Sequence, residues 1–551
     1  MPTRDESGGA VGAKPAVSGR EAVASSQHAL VTDTMMDILE AGGNAADAAI
    51  AGALVHGVVQ QEMTNYAGTV SLLYYDAPSN TVHELNAWGT LLASAPPFRP
   101  VRGTHGDLCE AGREPCAAIP GFMPGLKALH ERFGSLPWAQ LCQPALHWAE
   151  VGHVISSLQL RVLATEGPLF LHTESGRAHF APGGHLPEVG NHWPKPELAK
   201  TLAGIAAEGP DYMLTGAWAK HFVSRANGLG WPVRLEDLSA TPPRWGTGTR
   251  YSHRGCEIVQ LSPPETQAIR CSMVLDMLED LGVPDLGHWS ESASALYFLA
   301  HALRRARFET GYVNDPAHFG VPTSELMSRE YHRSLAAIIE GSTPKSDLTP
   351  HYALTALTDV SAAGGTTYPP GGSCETSVVD RYGNWIQMMN TLQSGGIPGE
   401  VIDGVPMVGS HFQVDMSSWI SGWLIPESRM RGPMGSTFVL RDGKPWLSLG
   451  TPGSLWATVV QVLSNLLDYG MTPEQAIDCP RILELTDTYR LPAESRFPKQ
   501  VVDGLLAKGI LVEPMEPYNW HLGSFQVSWR TPDGALHGAT DPRREGKVAA
   551  L

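Results

Sequence analysis

Apolar residues recur at helical spacing from 26 to 59, and Gly42-Gly43 interrupts them. That pattern predicts two helices with a glycine break and cap between them. Residues 70–76 and 81–85 switch to β-rich composition around a Pro-Ser-Asn turn, which predicts a strand pair. The stretch 121–235 reads as mainly helical, including 126–132 and 138–151. Residues 251–261 read as one strand, and 266–281 and 291–311 as helices.

The pattern changes in the last third of the chain. Residues 343–372 are polar and loop-rich, with Gly364-Gly365 and Pro369-Pro370-Gly371-Gly372, a composition suited to an exposed segment. Beyond 373, the runs 376–380, 385–390, 436–440 and 446–449 are β-rich, and Arg381-Tyr382-Gly383-Asn384 fits a hairpin turn. An apolar helix is expected over 457–467 and a late strand over 525–530. Periodicity alone gives an α+β chain without repeats. Residues 1–20, rich in Gly and Ser, read as a disordered arm.

Composition narrows the partners. The chain has 551 residues, 42% hydrophobic, with a net charge of −17. That acidity disfavours nucleic acid and anionic membrane surfaces, which select basic patches. Seven scattered cysteines without a Cys-x-x-Cys pair suggest neither a zinc site nor a disulfide framework. No apolar run follows the charged N-terminus, and the most apolar helical stretch, 45–59, is too short to span a bilayer. A cytoplasmic setting is expected, with a small-molecule substrate and no metal or organic cofactor.

The chemistry centres on Gly372-Ser373. A small hydroxyl residue behind two glycines, leading into a β-branched strand, is where a self-cleaving nucleophile can sit. The glycines let the backbone bend, the hydroxyl attacks the preceding carbonyl, and the new α-amine serves as base. Cys374 is a rival one residue later, because cleavage at Ser373-Cys374 would expose an N-terminal thiol.

A resemblance to the γ-glutamyltranspeptidase family supports Ser373. It rests on Ala41-Gly42-Gly43-Asn44-Ala45-Ala46-Asp47-Ala48-Ala49, Ile119-Pro120-Gly121, Phe133-Gly134, Gln143-Pro144-Ala145, Ser262-Pro263-Pro264 and Asn314-Asp315-Pro316. Thr391-Leu392-Gln393, Arg441-Asp442-Gly443-Lys444, Gly450-Thr451-Pro452-Gly453-Ser454 and Gly538-Ala539-Thr540-Asp541-Pro542-Arg543 follow in the same order. The resemblance implies an N-terminal nucleophile (Ntn) hydrolase with an αββα sandwich, two stacked sheets flanked by helices. It implies cleavage into chains 21–372 (behind the 1–20 arm) and 373–551 that stay associated as one fold. Ser373 matches the nucleophile, usually Thr in the family, with the register set by Asp380 and Gly383-Asn384. Thr391 matches a Thr that hydrogen-bonds the nucleophile, and the N–H groups of Gly453 and Ser454 match the oxyanion-hole pair.

The departures are as informative. Asn86 stands where the family uses an Arg to clamp a γ-glutamyl carboxylate, and Gln393 replaces an Asn. Val408-Gly409-Ser410-His411-Phe412 lacks the expected carboxylate, and Gly432-Pro433 replaces paired serines. Glu375 replaces a His; it either tunes the α-amine, contacts a cationic substrate, or is a solvated carboxylate at a strand start. Trp88, Gln393, His411, Arg429 and Arg431 are substrate-contact candidates, and Met388-Met389 reads as packing. Three functions are compatible with this frame. They are a self-processing amidohydrolase of altered acyl specificity, a hydrolase of a carbon–carbon bond beside a ketone, and a scaffold that has lost catalysis.

Overall fold

The computed structural model describes residues 11–94, 117–240, 242–341, 372–393, 395–409, 426–429, 432–486 and 488–551, with short strands at Val101–Arg102 and Leu108–Cys109. Fourteen strands build two sheets. In chain order they are β1 (Val17–Gly19), β2 (Val23–Ser26), β3 (Thr69–Asp76), β4 (Thr81–Ala87), β5 (Arg244–Gly246), β6 (Thr249–His253) and β7 (Cys256–Gln260). They continue as β8 (Cys374–Val379), β9 (Trp385–Thr391), β10 (Thr437–Arg441), β11 (Lys444–Gly450), β12 (Gln526–Arg530), β13 (Leu536–Thr540) and β14 (Lys547–Ala550).

One seven-stranded sheet runs β1-β13-β12-β11-β10-β7-β6 and the other β14-β2-β8-β9-β3-β4-β5. All pairings within them are antiparallel. β8, which starts one residue after Ser373, is a central strand between β2 and β9. Each sheet packs helices on its outer face, so the fold is the expected α+β sandwich of two stacked sheets flanked by helices. Because both faces of the central strands are covered, β8 and β9 are buried at every position, polar residues included.

The outer layer beneath the second sheet is built from Ala29–Glu40, Ala45–Val59, Phe122–Phe133 and Trp138–Val151. Ala45–Val59 is buried on all sides, and its many alanines and glycines let it lie close to the sheet. Asn44 and Asp47 form a capping box at its start, and Asp380 Oδ2 accepts from Ala45 N at 2.8 Å. Asp380 also accepts from the N–H groups of Tyr382 and Asn384, each at 2.9 Å. One carboxylate therefore fixes both the β8–β9 turn and the helix beneath it. The other outer layer packs Gln267–Asp280, Ala293–Glu309 and Leu455–Leu467.

Two expectations need correction. Within the arm expected over 1–20, residues 17–19 form an edge strand against β13, and Gly12 N donates to Pro542 O at 2.7 Å. Backbone ladders do not need apolar side chains, so composition could not reveal this. The single strand expected over 251–261 is a hairpin, β6–β7, turning at Arg254 and Gly255, whose φ values are 48° and 75°. Residues 342–371 lie outside the described residues. Among the described residues no helix is long and apolar enough to cross a membrane.

Candidate active site

Strand pairing arranges the site in two rows on the face that looks toward the opposite sheet. Glu375 pairs with Met389, Met389 with Ser71, Ser71 with Asn86, and Asn86 with Arg244. Directly paired residues share a face, and so do residues two apart on a strand. Ser373, Thr391 and Thr69 therefore form a second row at the strand ends, with Thr391 paired to Thr69.

Ser373 is buried. Its hydroxyl lies against the Gly372 carbonyl oxygen and donates to Thr391 Oγ1 at 2.9 Å. Thr391 Oγ1 also accepts from Gln393 N at 3.3 Å. Gly372 packs on the backbone of Glu62 and Met63 and on the Leu392 side chain. The Ser373 carbonyl is held from the other side, by Gln27 Nε2 at 3.0 Å and Arg544 Nη1 at 3.2 Å. Arg544 Nε in turn donates to the Trp520 carbonyl at 3.2 Å. The residue that would become the new N-terminus is thus gripped at both its hydroxyl and its carbonyl.

Cys374 points to the opposite face, into a small apolar cluster with Met63, Leu158, Val162 and Trp520. Burial pushes its thiol well above the usual range, although the Arg544 charge opposes this. A neutral, enclosed thiol is a poor nucleophile, so the geometry favours Ser373.

Glu375 is fully buried between the sheets, which overturns its reading as a solvated strand-start carboxylate. Its Oε1 accepts from Gln387 Nε2 at 2.8 Å and Ser436 Oγ at 3.1 Å. Burial pushes its carboxyl up to about 8, with those two donors opposing. The period-2 alternation of β8 inside a two-sheet sandwich leaves it no route to solvent.

The turn 450–454 lies across the sandwich. Gly453 has φ 81°, and Ser454 N donates to the His521 carbonyl at 2.8 Å. In the uncleaved chain the Ser454 N–H, expected to serve in an oxyanion hole, is thus bonded to the His521 carbonyl.

Asn86 and Trp88 are drawn into a buried polar knot. Glu265 Oε1 accepts from Trp88 Nε1, from Ser71 Oγ at 3.3 Å and from Asn86 Nδ2 at 3.4 Å. Burial, with the nearby Glu84 charge adding to it, pushes the Glu265 carboxyl well above the ordinary range, while the Trp88 and Ser71 donors oppose. Arg429 Nη1 donates to Asn86 O at 3.0 Å, and Arg429 N donates to Asp315 Oδ2 at 2.7 Å. Arg429 is thereby committed to the protein rather than presented to a ligand. Met388 and Met389 pack into the two apolar layers, as expected. His411 and Arg431 lie outside the described residues.

The gamma-glutamyltranspeptidase family model matches residues 32–551. The chain belongs to the gamma-glutamyltranspeptidase family. This family member is 27% identical to the glutathione hydrolase proenzyme of Escherichia coli (strain K12), over 97% of this chain and 92% of that one. It is 26% identical to the acylase ACY 1 proenzyme of Pseudomonas sp. (strain SE83), over 98% of this chain and 95% of that one. In fold it resembles the cephalosporin acylase from Bacillus halodurans, with a TM-score of 0.80, 22% identity and coverage of 100% and 98%. The transpeptidase-family chain is accordingly an enzyme of the Ntn-hydrolase class, homologous to proteins made as proenzymes.

Sequence reasoning missed Gln27, Arg544 and Glu265. Arg544 follows directly on the C-terminal motif, and Glu265 follows Pro263-Pro264, so adjacency to a motif was the available signal.

Proposed function

We propose that this chain cleaves itself between Gly372 and Ser373 and then hydrolyses an amide of a small molecule whose acyl group is not γ-glutamyl. The observation that carries the reading is the Ser373 hydroxyl, placed against the Gly372 carbonyl and bonded to Thr391. Ser373 Oγ attacks the Gly372 carbonyl carbon. The C–N bond breaks as the hydroxyl proton passes to the leaving nitrogen, giving an ester and a free α-amine. Water then hydrolyses the ester, leaving a Gly372 carboxylate and chains 1–372 and 373–551. The freed amine, with a reference pKa of about 7.7–8.0, serves as base in later acyl transfers. In these, Ser373 forms an ester with the substrate acyl group, the amine leaves, and water releases the acid.

The altered specificity rests on the Asn86 region. A γ-glutamyl carboxylate calls for a cationic fork. Here Asn86 is bonded to a buried acid, Glu265, and the neighbouring Arg429 is taken up by backbone and Asp315.

Intact mass of the purified protein beside Ser373→Ala tests the reading. Two chains meeting at Gly372/Ser373, and one uncut chain in the variant, are expected. A break after Ser373 would transfer the role to Cys374. A single uncut natural chain of 59.2 kDa would favour a scaffold. Turnover of simple amides but not of γ-glutamyl-p-nitroanilide is the expected specificity, and hydrolysis of β-keto acids in preference to amides would overturn the amide assignment.

A further inference from the structure

Beneath Ser373 the layer between the sheets is polar. Ser377 Oγ lies 2.9 Å from both Ser448 Oγ and Ser528 Oγ of the opposite sheet. One step closer to Ser373, the Glu375 carboxyl spans the same gap. A Cβ built on Gly450 of β11 would stand only 2.1 Å from Glu375 Oε1 and 2.6 Å from Gln387 Nε2. Gly450 is the last residue of β11, at the entrance to the 451–454 turn. The carboxyl therefore touches the strand that carries the nucleophile and the strand that feeds the turn opposite it.

The hydrogen-bond inventory of this layer is unbalanced. Among the described residues Glu375 Oε2, Gln387 Oε1 and Gln526 Oε1 are all buried without a partner. A carboxylic O–H on Glu375 would turn one of these acceptors into a donor, whereas a carboxylate leaves all three without one. No cation is packed there among the described residues. Gln387 on β9, Ser436 before β10, Gly450 on β11 and Gln526 on β12 are uncharged. On its own strand Cys374 faces away. The next titratable groups on this face are Glu265, beyond Met389 and Ser71, and the α-amine that cleavage at Ser373 would create.

We propose that Glu375 is a positioning residue. As a neutral acid it braces the start of β8 against Gly450, holding Ser373 in line with the 451–454 turn. This rests on Ser373 being the nucleophile. The burial that pushes the carboxyl up to about 8 sets the alkaline side of the working range. Above it, Glu375 becomes a buried carboxylate held by only two neutral donors, Gln387 Nε2 and Ser436 Oγ, with no cation beside it among the described residues, and the brace loosens.

The test compares wild type, Glu375→Gln and Glu375→Ala. Intact mass first reads self-cleavage. The rate at which phenylmethanesulfonyl fluoride adds to the 373–551 chain is then followed from about pH 6 to about pH 10. The wild-type rate should climb as the α-amine deprotonates and fall beyond about pH 8. Glu375→Gln, neutral at every pH, should keep the climb and lose the fall. Glu375→Ala, where it folds, should react about 10-fold more slowly throughout. A Glu375→Gln profile that falls as wild type does, or a folded Glu375→Ala that reacts at the wild-type rate, overturns the proposal. An uncut, unlabelled wild-type chain instead overturns the nucleophile assignment itself, so the two failures are distinguishable.

Discussion

The Ser373 hydroxyl donates to Thr391 Oγ1 at 2.9 Å, joining the residue before one central strand to the last residue of its neighbour. The same Thr391 oxygen accepts the Gln393 N–H, so its orientation is fixed by backbone as well. Removing the hydroxyl with Thr391→Val should slow self-cleavage by roughly 10-fold, the equivalent of about 1.4 kcal/mol for a lost hydrogen bond. Thr391→Ser should cleave at close to the wild-type rate. A time course of intact mass decides, and a Val variant that cleaves normally would sink the role given to Thr391.

Cys374 should behave as packing. Its thiol is enclosed by Met63, Leu158, Val162 and Trp520, and burial holds it in the neutral form. Iodoacetamide should leave it unmodified in the native protein at about pH 8 and alkylate it after unfolding. Cys374→Ala should cleave after Gly372 as wild type does.

Arg544 holds the Ser373 carbonyl at 3.2 Å and the Trp520 carbonyl at 3.2 Å. Hydrogen bonds from a charged donor contribute about 1.5–3 kcal/mol each, and a buried carbonyl left bare adds its own cost. Arg544→Ala should therefore lower the melting temperature and slow cleavage by more than Thr391→Val does. Arg544→Lys, a single point donor, should recover only part of either. Differential scanning calorimetry beside the intact-mass time course would show it.

Glu62 and Lys195 give the fold a distinctive pH dependence. Burial pushes the Glu62 carboxyl up to about 7, from an ordinary 4.5, with Gln159 and Lys195 opposing. Burial draws Lys195 down to about 7, from 10.5, with Glu62 opposing. Between 4.5 and 7 the folded chain keeps a proton on Glu62 that the unfolded chain has lost, so this group's contribution falls as pH rises. Between 7 and 10.5 the unfolded chain holds a proton on Lys195 that the folded chain lacks, so that contribution rises with pH. The pair therefore places a minimum near pH 7. Urea unfolding of the Glu62→Gln, Lys195→Met double variant across that range should show its largest gain over wild type there. A gain independent of pH would refute the assignment.

Asn86→Arg should not create γ-glutamyl activity. The new guanidinium would lie beside Glu265, the acid that now accepts the Asn86 amide, and would pair with it. Assay with γ-glutamyl-p-nitroanilide should remain at background, and measurable turnover would show that Glu265 does not govern this end of the site.

Much of the frame was legible because it depends on local rules. The glycine break at 42–43, the β3–β4 pair and the β8–β9 hairpin follow from spacing and turn chemistry, and each appears in the structure. The edge strand Val17–Gly19 and the division of 251–261 into two strands were not legible. One depends on backbone pairing with a segment more than five hundred residues away, the other on a turn without a strong dipeptide signal. At the site, Ser373 and Thr391 could be named from order and spacing. That Asn86 lies in one row with Glu375 needed the register of four strands.

By itself the sequence determined the family, the candidate cleavage point and the absence of an arginine at the position of the carboxylate clamp. These are properties of residue identity at matched positions. Tertiary structure alone decided which way each residue faces. It turned Cys374 into an apolar cluster, closed Glu375 between two sheets and aimed the Ser454 N–H at His521. It also brought Gln27 and Arg544, from opposite ends of the chain, onto the Ser373 carbonyl. The physical reason is that burial and hydrogen bonding depend on which surfaces meet when two sheets stack, and no local pattern encodes that meeting.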